Sequence, residues 1–492
     1  MLVIVLLTLM TAMVCAMRFR GPWYDEFYTL YVTRPGIPLS LSIHHWLADN
    51  HPPLFYALVR ATAWLGDAVE ARRAVNLMLF SGAGVQIAWR LRPAPLRRIG
   101  WVYAIAIAGA WPAIQRAAEL RSNYLAFASA AVAVAALVAF DQYRARRPRL
   151  AWAMMALALL VAFNVHLAAS IMMGGVVGAA ILRRLLARDR RAAASLISAA
   201  MLAALPMLGH LALSFTRIEA NTRQFWIQGG VNSARWAIET EVFHNLTGNI
   251  PVTLAAMIGT VLLARAAWRG RRLPPEADMA LTLLLGWAMG CALLVALHLW
   301  RPFIIDRYLV ALHPPLAMVL ALGATALLDR LRGRVALLLY LAMTVAALAT
   351  IRDQFARTII LPSWYDTGRA IATIRGRCPA TRVQVDLAGN RAVLDSPPAD
   401  NARVMPFAYA MVARRMGFPL ASPADHSMDR HCPTLFWTEH VAGESVTADG
   451  LAAPLRAAGF PIGPVRLLRL GDGHVLMAWP QDPSTPLTRP HR

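Results

Sequence analysis

The sequence contains no lysine: all 49 of its basic residues are arginine, set against 27 acidic ones, for a formal net charge of +22. Such an excess suggests nucleic acid, but its placement argues otherwise, because the arginines recur in alternate short connectors between apolar runs. Charge of either sign is scarce. Only 15% of residues are charged, where a soluble domain carries roughly a quarter, while 58% are hydrophobic and mean hydropathy is +0.47. Those figures exclude an ordinary soluble protein. Cysteine is scarce too, with four in 492 residues. There is no glycine-rich phosphate loop and no internal repeat.

What is present is a series of apolar runs of about 17 to 22 residues, the mark of a polytopic α-helical membrane protein. The first, Leu2–Met17, is short but lacks a basic leader and a small-residue cleavage site, so it is read as a transmembrane helix rather than a signal peptide. Further spans are expected near Ala74–Trp89, Ile99–Ile114, Tyr124–Phe140, Ala151–Phe163, Leu167–Leu182, Ala194–Phe215, Pro251–Ala267, Met279–Leu299, Tyr308–Leu328 and Val335–Ile351. The total is about eleven. The pair within Ala151–Leu182 is divided at Asn164-Val165-His166, since one helix of that length would overrun the bilayer.

Orientation follows from the connectors. Arg90, Arg92, Arg97 and Arg98 fall in one; Arg144, Arg146, Arg147 and Arg149 in another; then Arg183, Arg184, Arg188, Arg190 and Arg191; Arg265, Arg269, Arg271 and Arg272; and Arg330, Arg332 and Arg334. Every one lies on the same side, which the positive-inside rule makes cytoplasmic. The other side receives the loop 18–73, the turn Gln115–Arg121, the Asn164–His166 break, the loop Thr216–Ile250, the turn Arg301–Arg307 and everything from Arg352 on. A multi-pass protein of a bacterial plasma membrane is expected, with its chemistry outside and membrane lipids around it.

The chain divides at residue 351 into a membrane domain (1–351) and an extracytoplasmic α+β domain (352–492). The second has a helix at Trp364–Arg375 and strands at Arg382–Asp386, Thr434–Thr438, Val465–Leu470 and His474–Ala478, the last two joined by the Gly471-Asp472-Gly473 hairpin turn, and ends in a proline-rich disordered tail. Cys378 and Cys432 both fall in this domain, where a disulfide persists.

The stretch from Pro22 to Tyr56 is dense in groups able to do chemistry. Asp25-Glu26 suits the first turn of a helix, yet a carboxylate in an aromatic, partly dry loop also suits a general base. His51-Pro52-Pro53 is a rigid step, and His51 forms a polar knot with Asp49 and Asn50. His44-His45 lacks metal-ligand spacing. Farther on, Arg116 reads as a snorkelling interfacial residue. Glu119, Arg121 and Tyr124 share the same helix end, with Arg121 and Tyr124 on one face and able to reach a phosphate. His166, Arg301, Asp306, Arg307 and Tyr308 end up on the same side. The second His-Pro-Pro, His313–Pro315, reads as a kink within a helix.

Assembled in this order, the residues resemble those of GT-C glycosyltransferases, specifically the polyprenyl-phosphate-sugar-dependent group containing protein O-mannosyltransferases and the lipid A aminoarabinose transferase. The likeness rests on Asp25-Glu26, on Asn50-His51-Pro52-Pro53-Leu54-Phe55-Tyr56, on Glu119-Leu120-Arg121-Ser122-Asn123-Tyr124, on the His166 break, and on Arg307-Tyr308-Leu309 with Pro314-Pro315. It covers roughly residues 1 to 350. The resemblance implies an inverting transfer from a polyprenyl-phosphate sugar donor to a lipid or cell-envelope glycan acceptor. Asp25 would be the catalytic base, supported by Glu26. Arg121, Tyr124, Arg307 and Tyr308 would hold the donor phosphate, and His51, His166, Glu119 and Tyr56 would shape the site. Some members of the group use a divalent cation; here magnesium or manganese would fall to Asp25, Glu26 and His51. The sequence leaves two alternatives open. An O-antigen ligase or polymerase would use Arg217, Arg223, Arg235 and His244 of the loop Thr216–Ile250. A lipid or sugar transporter would carry inverted repeats and midplane charges, and neither is present.

Overall fold

A computed structural model describes residues 1–222, 227–270, 273–385, 404–422, 424–439, 446–471 and 473–481. Contacts divide the chain into two units: residues 1–18 with 32–358, and residues 19–31 with 359–492. The second unit therefore starts later than residue 352 and also takes in Phe19–Tyr31.

The first unit is helical, and the expected apolar segments fall on helices, except that Ile99–Ile114 is broken after Ala108 and resumes in the short helix Pro112–Ala117. Among the described residues, eight helices are long and apolar enough to cross a membrane: Leu2–Phe19, Asn123–Arg144, Leu167–Leu186, Arg190–Ala220, Ile250–Gly270, Pro275–Trp300, Val310–Leu328 and Gly333–Ile359. The other three, Val75–Arg90, Ala94–Ala108 and Pro148–Phe163, have 16, 15 and 16 residues. Together these eleven helices account for the expected spans, eight of them of full spanning length among the described residues. Hydropathy missed the punctuation. Proline opens Ala94–Ala108 and Pro148–Phe163, while Gly109 and Asn164 close them.

Asn123–Arg144 lies at the centre, 94% of its apolar window buried. It is rich in alanine, so neighbouring backbones approach closely. Glycine does the same elsewhere. A Cβ added at Gly175 would stand 2.5 Å from the Gly290 nitrogen, and one at Gly259 would collide with the Gly323 carbonyl. Helices at the periphery present Leu213, Trp268 and Ile258 outward, as lipid-facing surfaces do.

The break between Pro148–Phe163 and Leu167–Leu186 is satisfied by side chains. Asn164 Nδ2 donates to the carbonyls of Leu160 (2.7 Å) and Ala203 (2.8 Å), and Ser170 Oγ donates to the Phe163 carbonyl at 2.5 Å. His166 caps the second helix, its Nδ1 accepting the Ala168 N–H at 3.2 Å.

Residues 32–73 fold into the helices Leu39–Ala48, Leu54–Ala61 and Val69–Arg72. Arginines clasp them. Arg60 donates to the Arg34 carbonyl (3.0 Å), Ser42 Oγ (2.7 Å) and the Ile37 carbonyl (2.9 Å); Arg72 donates to the Val59 carbonyl (2.9 Å); Arg73 reaches the Met17 carbonyl (2.9 Å). Two expectations are corrected. Thr216–Ile250 is not an open loop, because Val231–Thr247 is a helix. His313 does not kink a helix: it begins His313–Leu328, so Pro314 and Pro315 occupy the first turn, where their missing N–H groups cost nothing.

The second unit holds a four-stranded sheet: β1 (Val383–Val385), β2 (Thr434–Glu439), β3 (Ile462–Leu470) and β4 (Gly473–Pro480), in the order β1-β2-β4-β3. β1 and β2 are parallel and the other pairs antiparallel. The helix Trp364–Arg377 starts with a capping box, the Ser363 N–H donating to Asp366 Oδ2 at 2.8 Å. Trp364, Tyr409, Trp437 and Phe27 pack together in its core, with Trp364 5.1 Å from both Phe27 and Tyr409 between ring centroids. Cys378 and Cys432 are disulfide-bonded, their Cα atoms 5.6 Å apart. Asp386, Asp472, the 482–492 tail, Arg223, Arg271 and Arg272 lie outside the described residues.

Candidate functional site

The helix Leu39–Ala48 ends at Asp49, whose extended backbone turns the chain toward Pro52 and Pro53. Pro53 is helical and starts Leu54–Ala61, which carries the buried Tyr56 on its first turn. This short step folds Asp49, His51 and Tyr56 onto one another. One Asp49 oxygen receives the His51 backbone N–H at 3.2 Å and lies 3.1 Å from His51 Nδ1. The other receives the Tyr56 hydroxyl. Arg121 in turn donates to the Tyr56 hydroxyl at 3.4 Å.

Around this knot the rings close in. The His166 ring lies 4.9 Å from that of His51 and 4.7 Å from that of Tyr308, and His51 and Tyr308 are 5.8 Å apart. The Arg307 guanidinium sits 5.6 Å over the Tyr308 ring. Trp46 stacks on Tyr56 and is itself fixed by donating from Nε1 to the Val32 carbonyl at 3.0 Å. Residues from four separate stretches of sequence thus form one buried polar cluster.

Its electrostatics follow from burial and charge. Burial alone would raise the Asp49 carboxyl, but the hydrogen bond and charge of His51, the Arg121 charge and the Tyr56 hydroxyl outweigh it and hold it well below the usual carboxylate range. His166 is pushed well below the ordinary imidazole value, first by burial and then by the positive charge of His51, Arg121 and Arg307. It is therefore neutral at pH 7. Because its Nδ1 accepts from Ala168, the proton sits on Nε2. That atom is buried and has no hydrogen-bond partner among the described residues.

A second network adjoins in sequence. Arg116 donates to Glu119 at 3.0 Å and to Asp306 at 3.2 Å. It is 6% exposed, so it does not snorkel to the interface; the two carboxylates compensate its charge where it is. Burial works against its protonation, but Glu119, Asp306 and Glu241 outweigh that and hold it more firmly charged. His313 Nε2 lies 2.5 Å from Glu241, and Asn245 Nδ2 lies 3.2 Å from His313 Nδ1.

The expected residues are not all gathered. His51, Tyr56, Arg121, His166, Arg307 and Tyr308 form the cluster, and Glu119 belongs to the Arg116 network. Arg121 precedes the helix Asn123–Arg144, so it does not share a helical face with Tyr124. The cause is Asn76, whose Nδ2 donates to the Ala117 (2.9 Å) and Glu119 (2.8 Å) carbonyls and keeps the turn out of the helix. Tyr124 lines an apolar cavity with Leu9 and Phe127. Asp25 and Glu26 belong to the second unit, on the first turn of Tyr24–Thr33, where Glu26 Oε2 accepts the Trp23 N–H at 3.3 Å. Arg301 pairs with Glu219 at 3.3 Å. No group of three or more His, Cys, Asp or Glu side chains among the described residues is disposed to hold a metal ion. The central carboxylate, Asp49, was visible only as a neighbour of His51; Glu241 gave no local signal, and His313 stood out only as part of the second His-Pro-Pro.

No family model matches this chain, and no curated protein matches it. Solved structures do. ArnT from Cupriavidus metallidurans bound to undecaprenyl phosphate superposes with a TM-score of 0.54 at 13% identity, covering 97% of each chain. Its apo state gives 0.52 at 14% identity, again over 97% of each. An oligosaccharyltransferase from Archaeoglobus fulgidus, in complex with zinc and sulfate, gives 0.41 at 15% identity over 77% of this chain and 60% of that one. The chain has an ArnT-like fold, mostly helical with a small C-terminal sheet.

Proposed function

We propose that this chain is an integral-membrane glycosyltransferase that moves a sugar from a polyprenyl-phosphate donor to a lipid or cell-envelope glycan acceptor on the extracytoplasmic face of a bacterial plasma membrane. The observation that carries the reading is the largely buried cluster of Asp49, His51, Tyr56, Arg121, His166 and Tyr308 on a fold shared with a protein crystallised with undecaprenyl phosphate. Soluble-facing polar groups need no such burial; a cluster of this kind within a membrane protein marks a place where a polar substrate is received.

In the proposed reaction the acceptor hydroxyl attacks the anomeric carbon as the bond from that carbon to the phosphate oxygen breaks. The configuration inverts, the hydroxyl proton passes to a carboxylate, and the polyprenyl phosphate leaves with the bonding electron pair. Charge grows on the phosphate in the transition state, so donors placed there stabilise it more than the ground state. Arg121 and Arg307 supply the charge, with Tyr308 as a further donor. The Nε2–H of His166 is a neutral donor with its hydrogen unspent. Asp25 is the base, supported by Glu26 beside it on the first turn of Tyr24–Thr33.

The test is a transfer assay in membranes with a panel of polyprenyl-phosphate sugars, comparing the parent, Asp25→Asn and Arg121→Gln. Transfer by the parent that collapses in both well-folded variants supports the reaction and the roles. Equal transfer in parent and Asp25→Asn removes Asp25 as the base. No transfer from any donor removes the reading altogether.

A further inference from the structure

Two cavities in the membrane unit have no part in that reading, and they share a residue. The first, about 280 Å³, is almost wholly apolar and runs between the helices Leu2–Phe19, Val75–Arg90, Ala94–Ala108 and Asn123–Arg144. Its walls include Leu6, Phe80, Ile87, Trp101 and Ile107, and one end is closed by Arg92 and Arg97. Along Ala94–Ala108 it extends from Arg97 to Ala108, about 16 Å at roughly 1.5 Å per residue. That is the depth of about one leaflet of a ~30 Å hydrocarbon core. The second cavity, about 560 Å³, lies at the arginine-rich rim and is lined by Arg92, Gln142, Tyr143, Arg146 and Arg147. Arg92 borders both.

The charge at this junction is uncompensated, unlike that of its neighbours. On the same side Arg98 pairs with Asp329, Arg144 with Asp189, Arg183 with Asp278 and Arg184 with Asp141. Arg92, Arg97, Arg146 and Arg147 are exposed and make no ion pair among the described residues. The surface beside them is fixed: Tyr143 donates to the Trp89 carbonyl at 2.9 Å, and the Arg92 guanidinium lies 5.7 Å over the Trp89 ring. A basic pocket that shares Arg92 with a one-leaflet-deep apolar groove has the charge and dimensions that suit an anionic phospholipid, head and chain.

We infer that Arg92, Arg146 and Arg147 bind the phosphate headgroup of an anionic glycerophospholipid from the leaflet on the arginine-rich side, with one acyl chain in the groove between Val75–Arg90 and Ala94–Ala108. Guanidinium groups take phosphate oxygens two at a time, and the groove excludes water from the chain. The site does not depend on the proposed sugar transfer.

The test uses the full chain purified in detergent, with thermal unfolding followed on adding phosphatidylglycerol, phosphatidylcholine or undecaprenyl phosphate. Phosphatidylglycerol raises the midpoint by about 2–4 °C and phosphatidylcholine does not. The rise is lost in the Arg92→Gln/Arg146→Gln/Arg147→Gln variant. It is also lost in Gly84→Leu, which fills the groove; Gly84 lines it, and a Cβ there meets nothing within 4 Å, so folding is preserved. Should the triple variant fold poorly, Gly84→Leu alone decides. Equal shifts with phosphatidylcholine, an unchanged response in Gly84→Leu, or a response to undecaprenyl phosphate alone would each overturn the assignment.

Discussion

Arg116 joins Glu119, three residues on, to Asp306, 190 residues away, with N···O distances of 3.0 and 3.2 Å. Glu119 is 1% exposed, and the Arg116 guanidinium stands beside it at 3.0 Å. Arg116→Ala removes that charge from a buried carboxylate, at a cost of up to about 3–5 kcal/mol. Arg116→Lys keeps the charge but not the two-pronged guanidinium and recovers part of the loss. Asp306 is largely exposed on its side chain, so Asp306→Asn costs about 1 kcal/mol or less. Thermal unfolding of the three variants in detergent reads the order directly. An Asp306→Asn loss as large as that of Arg116→Ala would put the burden of the network on the wrong carboxylate.

Asp49 is the carboxylate on which the polar cluster turns. Asp49→Asn preserves the shape but removes the negative charge beside His51 and Arg121. With each 1.4 kcal/mol worth a factor of ten, transfer falls by about 10- to 100-fold. Tyr56→Phe removes only the bridging hydroxyl between Asp49 and Arg121 and costs about tenfold or less. Steady-state rates with a polyprenyl-phosphate sugar separate the two. Unchanged transfer in Asp49→Asn would leave the cluster a structural feature only.

How much of this was legible in the sequence depends on the reach of each signal. Apolar runs and arginine connectors are local and repeated, so the helices fell where expected. Helix ends are set by single residues such as Pro93, Gly109 and Asn164, which a hydropathy window averages away. Arg116 was misread because Asp306, its distant partner, has no local trace. Val231–Thr247 was taken for loop because it is polar and exposes Trp236 and Phe243 rather than presenting a clean apolar face. The Asp49 knot was half visible, since Asp-Asn-His-Pro-Pro is compact in sequence, whereas its meeting with Arg121, His166 and Tyr308 is made by the fold.

Gly175 and Gly174 are adjacent and have opposite environments. A Cβ on Gly175 meets the backbone of Gly286 and Gly290, while one on Gly174 meets nothing within 4 Å. Gly175→Val therefore forces apart Leu167–Leu186 and Pro275–Trp300 and lowers stability by about 1–3 kcal/mol or more. Gly174→Val is tolerated. Melting temperature and expression level of the pair, measured side by side, check the helix contact without reference to function.

His166 gives the protein a pH dependence of predictable sign. Its folded-state value is depressed by burial and by the charges of His51, Arg121 and Arg307, so the unfolded chain binds the proton more readily. The stabilisation is complete above the unfolded value of about 6.5 and is lost progressively as pH falls below it toward the folded value. The loss is read by comparing stability at pH 7.5 and at pH 5. His166→Gln retains a side-chain acceptor for the Ala168 N–H and cannot titrate. Its unfolding midpoint therefore falls less between those two pH values than the parent's, even if it starts lower at pH 7.5. Parallel declines in parent and variant would assign the acid sensitivity to other groups.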